Sequence, residues 1–114
     1  MKIFKDKNLT QEIKDEIFDL GIVEADSEKE FIFYIFNAET KAEYYELAFR
    51  ILKKVIDENE EEHWEVHPEL EILEAPEELK PRSIGELRIL CKPLVTIKEA
   101  IKARLEIKGK ELWG

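Results

Sequence analysis

Glycine is scarce in this chain, and its four copies stand far apart at Gly21, Gly85, Gly109 and Gly114. That distribution excludes a phosphate-cradling loop, which needs closely set glycines leading into a helix. Cysteine occurs once, at Cys91, so neither an internal disulfide nor a thiolate metal cluster can form. Placed between Leu90 and Lys92 in a strand-like run, Cys91 reads as a buried structural residue rather than a reactive thiol. Serine occurs only at Ser27 and Ser83, and neither sits in a G-x-S-x-G elbow, which leaves serine catalysis without a nucleophile. No apolar run approaches the roughly 20 residues of a membrane-crossing helix. The N-terminal stretch MKIFKDKNLTQEIKDE is charged every few residues, unlike a signal peptide, and synthesis in the cytoplasm is the expectation.

Positive charge is also in short supply: 18 Lys and Arg face 27 Asp and Glu, for a net charge of -9. This balance argues against a nucleic-acid partner, whose phosphates need clustered basic residues, and against adhesion to anionic membranes. It favours solubility at high concentration. A hydrophobic fraction of 44% is that of a globular protein rather than a disordered acidic tail. The 114 residues suit one domain, 1–114, able to bury about two thirds of its unfolded surface. Abundant Lys, Glu and Ile beside a single glutamine, Gln11, resembles thermophile composition, a hint about habitat alone.

What stands out is Phe31-Ile32-Phe33-Tyr34-Ile35-Phe36, stopped by Asn37. A short run apolar on both faces and rich in β-branched and aromatic residues predicts a central strand. Alternation assigns Phe31, Phe33 and Ile35 to one face and Ile32, Tyr34 and Phe36 to the other. Leu70-Glu71-Ile72-Leu73 also alternates, Pro76 and Pro81 bracket a turn, and Leu87, Ile89 and Cys91 alternate with Glu86, Arg88 and Leu90. Residues Ala103 to Gly109 form a further polar–apolar stretch. Short strands separated by Pro, Gly and charged turns suggest an all-β sandwich. Two segments read both ways. In 38–56, Tyr45, Ala48, Phe49, Leu52 and Ile56 share a helical face, whereas Tyr45, Leu47, Phe49 and Ile51 share a strand face. Residues 10–20 suit either an extended chain or a helix capped by Thr10 and ended by Gly21. Periodicity alone leaves α+β and all-β open.

Chemistry is sparse. His63 and His67 are spaced as i and i+4, but Pro68 keeps His67 out of helical conformation. An extended chain would separate the rings by about 13 Å. A surface or packing role is expected for both, and no metal or cofactor. The acidic block Asp57–Glu62 lacks the spaced Asp/Asn/Gly grammar of a calcium loop and reads as an exposed turn. Close carboxylate pairs arise by chance among so many acids. The chain is expected not to be an enzyme.

In order, Phe18-Asp19-Leu20-Gly21-Ile22-Val23, a turn, and an apolar strand ending in Asn37 resemble the immunoglobulin-like β-sandwiches of the ASH and major-sperm-protein families. The later strands, the Pro76–Pro81 turn and a closing strand ending near Gly109 follow the same order. The match departs at Ala25-Asp26, where a turn glycine is usual, and at the acidic insertion 57–62. The resemblance implies an all-β, immunoglobulin-like antiparallel sandwich of about seven strands, with room for one short helical turn near Thr96–Ile101. It also moves Tyr44–Leu52 into a strand neighbouring 31–36.

The resemblance implies a domain that acts by binding proteins, and the expected role is a non-enzymatic accessory subunit of a larger assembly, such as a phage or virus capsid (decoration) or tail. The alternative is a cellular ASH-like adaptor docking a peptide or protein, with a small α+β enzyme or ligand-binding domain behind both. Self-association is compatible with either role. Candidate partner contacts are Ile32, Tyr34 and Phe36 on the outward strand face, together with Trp64 and Trp113, since Trp and Tyr favour interface hot spots. Trp113 has the alternative of folding back over the sandwich rim. A far-UV circular dichroism spectrum with a single β-type minimum and little helical signal is expected; a helix-dominated spectrum overturns the sandwich.

Overall fold

In the computed structural model, residues 1–24, 27–93 and 101–114 are described. They form nine strands: β1 Lys2–Phe4, β2 Glu12–Ile13, β3 Ile17–Asp19, β4 Lys29–Phe36, β5 Ala42–Ile56, β6 Glu62–Val66, β7 Leu70–Glu74, β8 Ile84–Cys91 and β9 Lys102–Trp113. The excess over the expected seven is β2 and β3, two and three residues long. One sheet runs β2-β1-β4-β8-β7 and the other β3-β9-β5-β6. All pairings are antiparallel. We call them sheets A and B.

The apolar run forms β4, flanked by β1 and β8. Phe33 and Ile35 face inward and are buried, as are Leu87, Ile89 and Cys91 on β8. Across the gap, Phe18, Ile51, Ala103 and Leu105 close the core from sheet B. Phe18 of β3 stacks on Phe33 of β4 with centroids 4.3 Å apart, a direct link between the sheets.

Both ambiguous segments are extended. Residues 38–56 give the long strand β5, because pairing with β9 on one side and β6 on the other outweighs the helical pattern. Residues 10–20 give β2, a turn at Lys14–Glu16 and β3. Thr10 caps no helix: its N–H and hydroxyl both donate to the Asp6 carboxylate. Three expectations need correction. Residues Tyr44–Leu52 do not neighbour 31–36, since β5 lies in the opposite sheet. Tyr45 does not share a face with Leu47, Phe49 and Ile51, because a bulge at Glu46–Leu47 resets the alternation and turns Tyr44 inward. The last strand does not end near Gly109 but runs on to Trp113. The helical turn expected near 96–101 lies outside the described residues except for Ile101, whose N–H donates to the Gly21 carbonyl. The Ala25-Asp26 turn is likewise outside them.

The bulge is formed by residues on two facing strands. Glu46 takes φ of 51°, a conformation side chains rarely adopt. Opposite it stands Gly109, where a Cβ would come within 2.7 Å of the Leu47 side chain. Gly85 serves a similar purpose on β8, since a Cβ there would meet the Pro76 ring at 2.6 Å.

Asn37 ends β4 and is fully buried. Its amide N–H groups donate to the carbonyls of Ala42 (2.8 Å), Leu79 (3.1 Å) and Lys80 (3.1 Å). Its side-chain oxygen accepts from the Glu39 N–H, and its backbone N–H donates to Ser83. One side chain thereby joins the crossover from sheet A to sheet B to the Pro76–Pro81 turn. Replacing Asn37 with Leu removes three donated hydrogen bonds and the acceptor of the Glu39 N–H at a buried site, and is expected to cost about 3 kcal/mol in urea unfolding. Asn37→Asp is expected to be comparably damaging, because a carboxylate cannot donate. A loss below ~0.5 kcal/mol for both variants would contradict this role.

Candidate functional site: the outer faces of the two sheets

A sandwich strand ordinarily presents polar residues to water. Here each outer face has a small apolar centre of its own. On sheet A, β4 turns Ile32, Tyr34 and Phe36 outward, in register with Arg88, Glu86 and Ile84 of β8 and, for Tyr34 and Phe36, with Phe4 and Lys2 of β1. Phe4 is buried yet stands apart from the core cluster between the sheets. It sits edge-on to Phe36 at 6.4 Å, and the Arg82 guanidinium covers that ring at 4.8 Å. Tyr34 and Phe36 are thus half-buried by the chain itself. Ile32 and Ile84 are left 38% and 46% exposed. Arg88 lies beside Ile32 and joins three strands, pairing with Glu30 at 2.7 Å and Glu74 at 3.7 Å. Pairs this exposed add little stability. They do frame an apolar patch with a charged rim.

On sheet B, the outward register aligns Ile17, Arg104, Leu52 and Val66 across all four strands. Leu52 is buried beneath its neighbours, again apart from the inter-sheet core. Trp64 lies one step along β6, with the Arg104 guanidinium 5.5 Å from its ring. Trp64, Ile17, Lys54 and Lys102 line a small recess of about 230 Å³. Trp64 therefore already has an intramolecular partner on one side while remaining 39% exposed.

The five expected contacts fall in three places. Ile32, Tyr34 and Phe36 share one patch, Trp64 is on the opposite sheet, and Trp113 is at the far end of β9. Trp113 does not fold back over the rim: it is 59% exposed, and its indole N–H donates to Glu111 on its own strand. Sequence reasoning missed Phe4, Arg82 and Ile84, whose contribution depends on strands brought beside β4 from both ends of the chain.

The histidines occupy different surroundings. His63 lies exposed on β6 near Glu65 and Asp57. His67 is buried, with Nδ1 accepting the Glu69 N–H at 3.2 Å and its own N–H donating to Ile51. The acidic block forms the β5–β6 turn, where Asp57 accepts from the N–H groups of Asn59 and Glu61. Among the described residues no group of three or more His, Cys, Asp or Glu is placed to hold a metal.

The strand orders define the class of protein. In sheet A, β1-β4-β8-β7 reproduces the A-B-E-D order of immunoglobulin sandwiches, and in sheet B β5 pairs with β9 as C pairs with F. The chain is an immunoglobulin-like antiparallel β-sandwich. No protein-family model and no curated protein matches it. Among solved structures it is similar to the ASH / PapD-like domain of human CEP192 (PapD-like domain 7), at 16% identity, covering 82% of this chain and 70% of that one, with a TM-score of 0.44.

Burial pushes the His67 imidazole below its ordinary range; Glu69 opposes this and Lys53 adds to it. The folded state therefore prefers neutral His67, and the unfolded chain takes up the proton first as pH falls. The contribution is intact above about pH 6.5 and is lost as pH drops through the lower folded value. Melting temperature is expected to fall between pH 7.5 and 5.5, and His67→Gln should flatten that dependence. An unchanged slope in the variant would assign the effect elsewhere.

Proposed function

We propose that the chain is a non-enzymatic protein-binding module that works as an accessory subunit of a larger assembly. Its docking face is the outer side of β4 and β8. The observation that carries this is that exposed Ile32 and Ile84 lie on the same face as half-buried Tyr34 and Phe36, a sheet face that is ordinarily polar. Interfaces combine such an apolar centre, aromatic and Arg residues included, with a charged rim. Arg82, Arg88, Glu30 and Glu74 form that rim here.

The setting suggested by fold analogy is a virus capsid or tail, with a cellular adaptor complex as the alternative. Both use the same face and differ in company. Tagged chain cross-linked in its native host is expected to recover a defined partner, identified by mass spectrometry as a capsid or tail protein in the first setting. The Ile32→Glu/Ile84→Glu variant should lose at least tenfold of that recovery at an unchanged melting temperature, because both positions are solvent-facing and Arg88 can pair with the new Glu at 32. Equal recovery by the variant, or none by the wild type, would overturn the docking face.

A further inference from the structure

Sheet B ends on β6, whose five residues are all exposed. It pairs with β5 on one side and has no backbone partner on the other among the described residues. This strand is interior to the chain, joined to β5 by the acidic turn and to β7 by His67–Glu69. The His67 N–H donates to the Ile51 carbonyl at 2.8 Å, and the Asp57 N–H to the Glu61 carbonyl at 3.0 Å. The alternation of an antiparallel ladder then turns the N–H and C=O groups of His63 and Glu65 towards β5. Those of Glu62, Trp64 and Val66 point outward, a row ready to take another strand. No bulge interrupts the pairing of β6, and Pro68, without an N–H, closes the row at its far end.

The strand that fits this edge is β6 itself. Two copies set antiparallel about a two-fold axis at Trp64 place Trp64 against Trp64 and Glu62 against Val66. Every outward N–H and carbonyl of Glu62, Trp64 and Val66 is then bonded in both copies. On the opposite face of the strand, His63 falls against Glu65 of the other copy. Within one copy His63 Nε2 already lies 3.2 Å from Glu65 Oε1. The pairing therefore builds a square of two imidazoles and two carboxylates in which unlike groups are neighbours. Glu62 keeps its own cation, Lys54, at 2.8 Å. Trp64, 39% exposed with Arg104 near its ring, gains a second indole across the axis.

Other registers lose this match. An axis at His63 sets Glu61 against Glu65, and an axis at Glu65 sets that residue against itself; like charges directly opposite are destabilising. A one-residue shift faces the outward row with His63 and Glu65, whose backbone groups are already bonded to β5. Any other segment, from this chain or from a different protein, would need to supply the same pattern, whereas β6 carries its own complement. We propose that the chain forms a two-fold dimer through β6, in which two copies of sheet B run together as one eight-stranded sheet. The contact is small and belongs with weak, reversible interfaces. It leaves the β4–β8 face open on both copies, so the dimer presents that face twice.

The test follows the full chain by sedimentation velocity between about 10 µM and about 1 mM. About 0.15 M salt screens the net charge of -9 on each copy. The sedimenting mass is expected to rise towards that of two chains. Amides of Glu62, Trp64 and Val66 should exchange at least threefold more slowly at the highest concentration, while those of His63 and Glu65, bonded to β5 throughout, stay unchanged. His63→Glu faces Glu65 with a like charge and should weaken association at least tenfold; His63→Glu/Glu65→His should restore it. Val66→Pro removes one outward N–H, leaves the bonds to β5, and should abolish association. The melting temperature of each variant at low concentration checks its folding. A chain that stays monomeric at the highest concentration overturns the proposal. A dimer whose Glu62, Trp64 and Val66 amides remain unprotected uses another surface and overturns it as well. A monomer with those amides protected at every concentration holds a segment of its own on the edge, which equally overturns it. Protection unaffected by His63→Glu overturns the register centred on Trp64. Ile32→Glu/Ile84→Glu is expected to dimerise like the wild type, so this contact and the β4–β8 face fail separately.

Discussion

The fold turns on a single buried amide. Asn37 sits where the chain leaves sheet A for sheet B, and its side chain adds hydrogen bonds to three carbonyls and one N–H around that crossover. A buried polar group without partners costs about as much as a large core truncation, so its position is tightly specified. Leu79 follows from it. The Leu79 carbonyl accepts from Asn37 and Tyr44, its own N–H donates to Tyr44, and its side chain is 2% exposed at the end of the core. Pro76 and Leu79 then pack over Gly85, where no side chain fits. Crossover, turn and the entry of β8 are thereby one connected piece.

The two outer faces show a common solution to excess apolar sequence. Each has a large buried residue outside the main core, Phe4 on one side and Leu52 on the other, and each has an arginine lying over an aromatic ring. Arginine suits this position because its flat, weakly hydrated head covers a ring while keeping its charge in water. The faces are half-covered as a result. What remains exposed is confined to a few positions, which makes those positions testable individually.

Legibility in the sequence followed the range of the interaction. The inward and outward faces of 31–36 could be read directly, because alternation within a strand is local, and Phe33 and Ile35 are indeed buried with Ile32 outward. The same holds for Leu87, Ile89 and Cys91. In β5 the same rule failed at Tyr45. One extra residue at the Glu46 bulge changes the parity, and Gly109, where no side chain fits against Leu47, lies on a different strand. Of the candidate contacts, the β4 triplet formed one patch as alternation implies. Trp64 acquired Arg104 as a neighbour through strand pairing, which no local pattern announces.

By itself the sequence determined the strongest strands, while the choice between α+β and all-β waited on the pairing of β5 with β9 and β6. Scarce glycine, a lone cysteine and alternating apolar positions act through short-range sterics and burial, which composition and periodicity express. The tertiary structure decided which sheet received β5 and which residues flank the β4 face. Those outcomes depend on hydrogen bonds and packing between residues far apart in the chain, Asn37 with Leu79 and Glu46 with Gly109 among them. Long-range pairings carry no signature in either partner alone.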